Sequence, residues 1–85
     1  MINPRVKIGK NCKIHIGVNI GAAFNNSEAT PVIGDDCYIA PGAKIFGSVT
    51  IANNVKIGAN AVVNKSCDID NATLLGIPAK IYPSS

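Results

Sequence analysis

The chain contains a single histidine, His15, and no other side chain is as well suited to acid–base chemistry near neutral pH. A histidine placed beside a bound hydroxyl or amine can take up its proton, which is general base catalysis. The alternative is that His15 is an exposed polar residue at a corner of the fold, because a histidine without a positioned partner is rarely catalytic. One histidine also excludes a three-histidine zinc site within one chain.

The other reactive side chains are three cysteines, Cys12, Cys37 and Cys67. Their number is odd and no two have CxxC spacing, so neither a disulfide nor a zinc site is predicted. All three fall at the fifth position of the repeat described below. That regularity predicts thiols that serve as small packing residues inside the fold.

The elements that must position these side chains are indicated by aliphatic residues that recur every six positions. This spacing fits neither a helix nor an ordinary strand. The step is broken once, because Ile33 follows Ile20 by thirteen positions instead of six. The extra residues predict an extruded loop near residues 22–31. The anchors are Ile2, Ile8, Ile14, Ile20, Ile33, Ile39, Ile45, Ile51, Ile57, Val63, Ile69, Leu75 and Ile81.

Each group of six predicts one short strand followed by one turn. The fifth residue and the next anchor are two apart, so both point inward, while the residue between them points out. Turn formers then redirect the chain. Three such units close a triangular coil, and about four coils stack roughly 4.8 Å apart. The predicted inward columns are Ile2, Ile20, Ile45, Val63 and Ile81; Ile8, Ile33, Ile51 and Ile69; and Ile14, Ile39, Ile57 and Leu75.

Length and composition predict one small domain over residues 1–85, with 47% hydrophobic residues and a formal net charge of +3. This charge would suit an anionic small molecule and is too weak to indicate nucleic-acid binding. No apolar run could span a membrane and no signal peptide is evident, so we expect a cytoplasmic protein. The first coil would expose an apolar edge. We therefore expect either the C-terminal part of a longer enzyme or an oligomer that covers this edge.

Four stretches carry a resemblance to a known family: "KIGKNCKIHIGVNIGAA", "PVIGDDCYIAPGAKIFGSVTI", "VKIGANAVV" and "GIPAKIY". The chain resembles the hexapeptide-repeat acyltransferases, and most of all the serine acetyltransferases and the sugar O-acetyltransferases of polysaccharide biosynthesis. This resemblance implies an all-β fold, a single-stranded left-handed parallel β-helix. It also implies a homotrimer that uses acetyl-CoA as co-substrate, without a metal, and transfers the acetyl group to a small hydroxyl or amine acceptor.

The resemblance also implies roles for particular residues. Small residues suit a cofactor groove because the cofactor can lie against exposed backbone. Each of the two lysines implied for the nucleotide phosphates has the alternative of being a solvated corner residue. The implied cofactor contacts are Gly21 and Ala22 near the thioester, Pro41, Gly42 and Ala59 along the pantetheine arm, and Lys65 and Lys80 near the phosphates.

Two departures from the serine acetyltransferase pattern separate two hypotheses. The base histidine of those enzymes would fall just before Met1, and Thr30 stands where they carry a histidine before proline. The first hypothesis is an O- or N-acetyltransferase whose base is His15 or lies in upstream sequence. The second is a non-catalytic trimeric β-helix module that still binds CoA. The "NNSEAT" segment is expected to be either a surface loop or a lid or arm between subunits.

Overall fold

The computed structural model describes residues 2–23 and 29–83, and within these ranges every regular element is a short β-strand. No helix there is long and apolar enough to cross a membrane. The strands are β1 (Lys7–Ile8), β2 (Lys13–Ile14), β3 (Asn19–Gly21), β4 (Val32–Ile33), β5 (Tyr38–Ile39), β6 (Lys44–Phe46), β7 (Thr50–Ile51), β8 (Lys56–Ile57), β9 (Val62–Val63), β10 (Thr73–Leu75) and β11 (Lys80–Tyr82).

The strands form the three walls of a prism. Sheet I has the order β1-β4-β7, sheet II the order β11-β10-β8-β5-β2, and sheet III the order β3-β6-β9. Each of the first six strands pairs in parallel with the strand three places further along the chain, and β8 pairs in parallel with β10. Three successive strands therefore make one coil. Three complete coils and part of a fourth agree with the prediction of about four.

The repeating aliphatic residues fill the inside of the first three coils. Ile20 pairs with Ile45, which pairs with Val63, and the same stacking holds on the other two walls. Ile39 and Ile45 have an exposed fraction of 0%. The residue before each anchor is exposed or half-buried, so the period-two alternation of a strand survives even in two-residue strands.

Residues that tolerate left-handed backbone form the corners. At the corner from sheet I to sheet II, Asn11, Asp36, Asn54 and Asn71 have φ between 56° and 65°. Asn and Asp adopt this conformation more readily than other residues with side chains. At the corner from sheet II to sheet III, Gly17 and Gly42 have φ of 77° and Asn60 has φ of 59°.

A ladder of side-chain acceptors joins the coils at the corner from sheet I to sheet II. Asp35 Oδ1 accepts a hydrogen bond from the backbone N–H of Lys10 at 2.8 Å. Asn53 Oδ1 accepts from the N–H of Asp35 at 2.8 Å, and Asp70 Oδ1 accepts from the N–H of Asn53 at 2.9 Å. Turn donors that the strands leave unpaired are thereby satisfied.

The predicted step of six is wrong after Val63. Ile51 forms its bridge with Cys67 rather than with Ile69, and Ile57 pairs with Leu74 rather than with Leu75. Leu74 is 2% exposed, whereas Leu75 is 46% exposed and Ile69 is 41% exposed. Ile81, predicted to stack beneath Val63, instead pairs with Leu74 in the antiparallel β10–β11 pair.

The inward positions after Val63 differ from the predicted ones because the next two corners do not have the length that the repeat requires. The step from Val63 to Cys67 is four residues instead of six, and the Ser66 hydroxyl accepts a hydrogen bond from the Thr50 N–H at 2.9 Å, which joins this short corner to the coil above. The following corner is one residue longer than the repeat requires, so the chain ends one residue out of the predicted step. Cys67 is fully buried, as predicted, but it lies at an anchor position rather than at the fifth position.

The two ends of the predicted loop meet at the corner from sheet III to sheet I. The backbone N–H of Ala23 donates to the Ala29 carbonyl at 2.9 Å, and Pro31 is buried. The rest of the predicted loop, residues 24–28, lies outside the described residues.

At the opposite end of the prism from β11, four apolar side chains of the first coil are only half-buried, namely Val6, Ile8, Cys12 and Ile14.

Candidate functional site

A groove of about 370 Å³ runs over the outer face of sheet III. One side comes from β3 and the residue that follows it, with Gly21 and Ala22, and the other from β6, with Phe46. Gly21 pairs directly with Phe46, so the missing side chain of the glycine leaves open space beside the aromatic ring. A Cβ placed on Gly21 would meet no atom within 4 Å, which confirms that space. The full lining is Asn19, Gly21, Ala22, Lys44, Ile45 and Phe46.

The groove continues into a smaller cavity of about 130 Å³ toward the open end of the prism. Asn19 and Gly21 line both spaces, and the smaller one is completed by Asn3 and Ile20. The backbone N–H of Asn3 donates to the Ile20 carbonyl at 2.7 Å, which closes this end. The two spaces together make an elongated surface of small, apolar and amide groups. Such a surface suits an extended ligand that contains amide groups and short apolar stretches.

Lys44 supplies the only charge among the residues that line the groove. It lies between Asn19 and Val62 in the outward row of sheet III, and its Nζ donates to the Gly42 carbonyl at 3.2 Å. That hydrogen bond places the ammonium group at the end of sheet III nearest Gly42. A positive group at one end of a mostly apolar groove favours an anionic or carbonyl-bearing ligand.

His15 lies at the corner from sheet II to sheet III, away from the groove. Its backbone N–H donates to the Ile39 carbonyl at 3.1 Å, and its ring lies 4.9 Å from the Tyr38 ring at an interplanar angle of 55°. Tyr38 is an outward residue of sheet II. The imidazole is exposed, so it is open to solvent and to any partner placed against this corner.

Three of the implied cofactor residues share this corner with His15. Gly42 donates its N–H to the Ile16 carbonyl at 3.1 Å, and the Pro41 carbonyl accepts from Asn60, the neighbour of Ala59, at 3.1 Å. Pro41, Gly42 and Ala59 therefore lie at the same corner in the two coils below that of His15, near the register of Ile16 rather than of His15 itself. The structure brings these four residues together at one end of the strands of sheet III, while Gly21 and Ala22 lie at the other end.

The two implied phosphate-binding lysines lie apart from both groups. Lys65 is exposed at the short corner before Cys67, and Lys80 is exposed in β11 at the edge of sheet II. Neither lines the groove. Among residues 2–23 and 29–83, no cluster of three or more histidine, cysteine or acidic side chains could hold a metal ion.

The sequence predictions missed Asn19, Lys44 and Phe46, which make most of the polar and aromatic lining of the groove. All three stand at variable outward positions, where a polar or aromatic residue is indistinguishable from an ordinary solvated one. A weak signal existed, because Lys44 and Phe46 flank an anchor in the strand that pairs with "NIG". Gly21 at the end of that strand is what converts the face into a groove.

Comparisons with known proteins agree with this architecture. Residues 30–65 match the family model described as bacterial transferase hexapeptide (six repeats). The serine acetyltransferase of Bacillus pumilus (strain SAFR-032) is 38% identical over 82 residues, which is 95% of this chain and 37% of that protein. The serine acetyltransferase of Staphylococcus xylosus is 42% identical over 82 residues, 95% of this chain and 38% of that protein.

Solved structures of serine acetyltransferases share the fold. The crystal structure from Brucella abortus strain S19 superposes with a TM-score of 0.91 at 30% identity, covering 100% of this chain and 34% of that one. The structure from the same strain in complex with coenzyme A gives 0.79 at 27% identity, covering 99% of this chain and 42% of that one. The chain thus spans well under half the length of these relatives. The expected fold, an all-β left-handed parallel β-helix, is confirmed.

Proposed function

We propose that this chain, which is similar to serine acetyltransferases and matches a hexapeptide transferase model over residues 30–65, catalyses acetyl transfer from acetyl-CoA to a small hydroxyl or amine acceptor. The observation that carries the proposal is the groove on sheet III. Small and apolar residues make up most of its lining, together with Asn19 and Lys44. A similar protein with this fold has been solved in complex with coenzyme A. The acetyl-CoA would be a co-substrate, and the reaction as proposed uses no metal.

The pantetheine arm of acetyl-CoA has the shape and polarity that this groove accepts. Its amides can meet the backbone near Gly21 and Ala22, and its methylenes can lie against Phe46. The corner residues Pro41 and Ala59, which are exposed, and Gly42, which is half-buried, would extend the contact surface. Lys65 and Lys80 remain proposed contacts for the nucleotide phosphates, where an ammonium group would contribute charge attraction.

His15 is the proposed base of the reaction. Its imidazole would take the proton from the acceptor hydroxyl or amine as that group attacks the thioester carbonyl. The carbon–sulfur bond then breaks, and the acetyl group stays on the acceptor while the CoA thiolate leaves and takes up a proton. Tyr38 would restrict the orientation of the ring through their contact.

Within one chain, His15 and Gly21 lie at opposite ends of the strands of sheet III, so one chain does not place its own base at its own groove. A homotrimer resolves this separation if the His15 corner of one chain faces the groove of the next. We therefore propose a homotrimer with its active sites between chains. The exposed His15 and the half-open groove both suit such a contact.

An acetyl-transfer assay tests this proposal. The chain is incubated with acetyl-CoA and a panel of acceptors that includes serine and sugars, and released CoA thiol is measured. We expect acceptor-dependent thiol release that falls at least about a hundredfold in His15→Gln, the typical loss for a general base. Coenzyme A affinity should be unchanged in this variant, since His15 is proposed to act on the acceptor.

Mixing two inactive variants tests the shared site. His15→Gln and Gly21→Val chains, unfolded together and refolded, should regain part of the wild-type rate, because mixed trimers contain intact sites between chains. If His15→Gln retains the full rate, His15 is not the base. If coenzyme A binds and no acceptor releases thiol, the second hypothesis holds, a non-catalytic trimeric module that binds CoA.

Among residues 2–23 and 29–83, the structure contains no helix long and apolar enough to cross a membrane. We propose a cytoplasmic location, where acetyl-CoA would be available as co-substrate. We also propose that residues 1–85 act as one hexapeptide-repeat domain, corresponding to part of a longer acyltransferase architecture. Expression of the chain fused to the remaining length of a serine acetyltransferase relative should give a folded, trimeric protein if this correspondence holds.

A further inference from the structure

Two of the three thiols are stacked in adjacent coils at the corner from sheet I to sheet II. Lys13 pairs with Tyr38, and the Lys13 N–H donates to the Cys37 carbonyl at 2.9 Å, so Cys12 lies directly above Cys37. Neighbouring strands are about 4.8 Å apart. This spacing falls within the range of about 4.4–6.8 Å between Cα atoms that a disulfide spans. Cys67 lies in the column of sheet I instead, beneath Ile51.

The two thiols have matching environments in successive coils. Cys12 Sγ donates to the Gly34 carbonyl at 3.1 Å, and Cys37 Sγ donates to the Ala52 carbonyl at 3.2 Å. Both contacts are weak hydrogen bonds that a rotation about χ1 would break at small cost. In the next two coils the same column is continued by Val55 and Ala72, so the reactive pair occurs only at the top of the described column.

Exposure distinguishes the two members of the pair. Cys12 is half-buried in the first coil, where Val6, Ile8 and Ile14 are also incompletely covered. Cys37 is 1% exposed. An external oxidant therefore reaches Cys12 first, and the loosely covered first coil has room for the small movement that joining the sulfur atoms requires.

Burial raises the pKa of the Cys37 thiol above its ordinary value of 9.0, although hydrogen bonds with Val55 and Asn54 act in the opposite direction. The neighbouring Cys12 thiol raises it further. A thiol with a raised pKa is a poor attacking group for an external disulfide. This agrees with the order of reaction that exposure indicates.

We propose that Cys12 and Cys37 form an oxidation site, in which Cys12 reacts with a low-molecular-weight disulfide and Cys37 then closes an intramolecular disulfide. The Cys12 thiolate attacks one sulfur of the external disulfide and releases one thiolate, giving a mixed disulfide. The Cys37 thiolate attacks Cys12 Sγ and releases the second. The two protons of the cysteines end on the two released thiols, so the protein loses two electrons and the external disulfide gains them.

The bond joins the two coils that supply opposite sides of the sheet III groove, since β3 follows Cys12 and β6 follows Cys37 along the chain. It should stabilise the first coil, because it closes a loop that is otherwise free in the unfolded chain. The oxidised protein should therefore unfold at a higher temperature than the reduced protein, and a reductant should reverse the shift.

The test treats the full chain with oxidised glutathione, then unfolds it in the presence of an alkylating agent so that the buried thiols also react, and measures the intact mass and the digested peptides. Before alkylation, we expect the oxidised chain to be lighter than the reduced chain by two hydrogen atoms. After alkylation, we expect one alkylated thiol, at Cys67, and a crosslinked peptide pair containing Cys12 and Cys37. Cys67→Ala should form the same crosslink. Cys37→Ala, which places at this position the residue that Ala72 provides in a later coil, should stop at a mixed disulfide on Cys12.

Three outcomes would overturn the proposal. One is that all three thiols are alkylated after oxidant treatment. Another is that the crosslink involves Cys67. The third is that chain unfolded in urea forms the Cys12–Cys37 bond as selectively as folded chain, which would remove the role of the stacked geometry. Circular dichroism of each variant confirms that the β-structure is retained before oxidation is compared.

Discussion

At the scale of single residues, the corners show most directly how the sequence specifies the structure. Asn11, Asp36 and Asn54 occupy the same left-handed position in successive coils, and glycines occupy the equivalent position at the next corner. These residues were predictable as turn formers from their type and spacing. Their hydrogen bonds across coils were not, because the partner of a turn side chain depends on the stacking of distant segments.

Two glycines with different surroundings give a matched test of this packing. A Cβ on Gly34 would contact Asn53 Oδ1 and would lie 2.8 Å from the Ala52 carbonyl oxygen, whereas a Cβ on Gly21 would contact nothing. We expect Gly34→Ala to lower the free energy of unfolding by about 1–3 kcal/mol, the usual cost of overpacking. Gly21→Ala should change it by less than about 0.5 kcal/mol. Urea denaturation measures both, and equal effects would contradict the described coil spacing.

The buried Cys37 thiol predicts a dependence of stability on pH. Its pKa is raised in the folded state by burial, so the folded protein holds this proton at pH values where the unfolded chain has lost it. Stability should therefore be full below the ordinary thiol pKa of 9.0 and fall as the pH rises from there toward the folded value. Denaturation under reducing conditions at increasing pH should show a steeper loss in wild type than in Cys37→Ala. A slope that is the same in both would contradict the burial of this thiol.

At the scale of elements, the six-residue step was predictable through Val63 because every corner up to that point keeps the same length, apart from the one between Ile20 and Ile33. It failed afterwards because Ile69, Leu75 and Ile81 are aliphatic by coincidence at the continued spacing. The sequence did contain a signal for which residues point inward after Val63. Asn11, Asp36 and Asn54 each precede the inward fifth residue, and Asn71 precedes Ala72 in the same way. Using the corner residues together with the anchors would have placed Leu74 inside.

Leu74 and Leu75 are adjacent, chemically identical and differently placed, so they test this corrected frame. Leu74→Ala should lower the free energy of unfolding by about 2–5 kcal/mol, because it leaves a cavity beneath Ile57. Leu75→Ala removes a half-exposed side chain and should cost less than about 1 kcal/mol. Thermal and urea denaturation of the two variants should separate them clearly. The reverse order would restore the uninterrupted step of six.

At the scale of the whole molecule, the candidate site could be predicted only in part. Gly21 and Ala22, which the family resemblance implies near the thioester, line the groove, whereas the wall formed by Phe46 and the charge of Lys44 depend on which strands become neighbours. The separation of His15 from this groove also emerges only from the folded prism. It is this separation that makes a trimer part of the proposed mechanism rather than an independent property.

The proposed trimer predicts a definite mass in solution. Light scattering should report three times the chain mass of 8.8 kDa. Lowering the protein concentration should reduce the specific acetyl-transfer rate at the point where the trimer dissociates, since each proposed site needs residues from two chains. A monomer that retains the full rate would contradict active sites shared between chains.

The central claim is that the groove of sheet III receives coenzyme A, and calorimetric titration of coenzyme A into the purified chain tests it most directly. Gly21→Val places a side chain in the groove, while Thr50→Val places a valine at an exposed position of sheet I, outside the groove. The account predicts saturable binding to wild type and Thr50→Val with equal affinity, and a loss of at least about tenfold, or ~1.4 kcal/mol, in Gly21→Val. Absence of binding to the wild-type chain, or equal affinity in all three proteins, would contradict it.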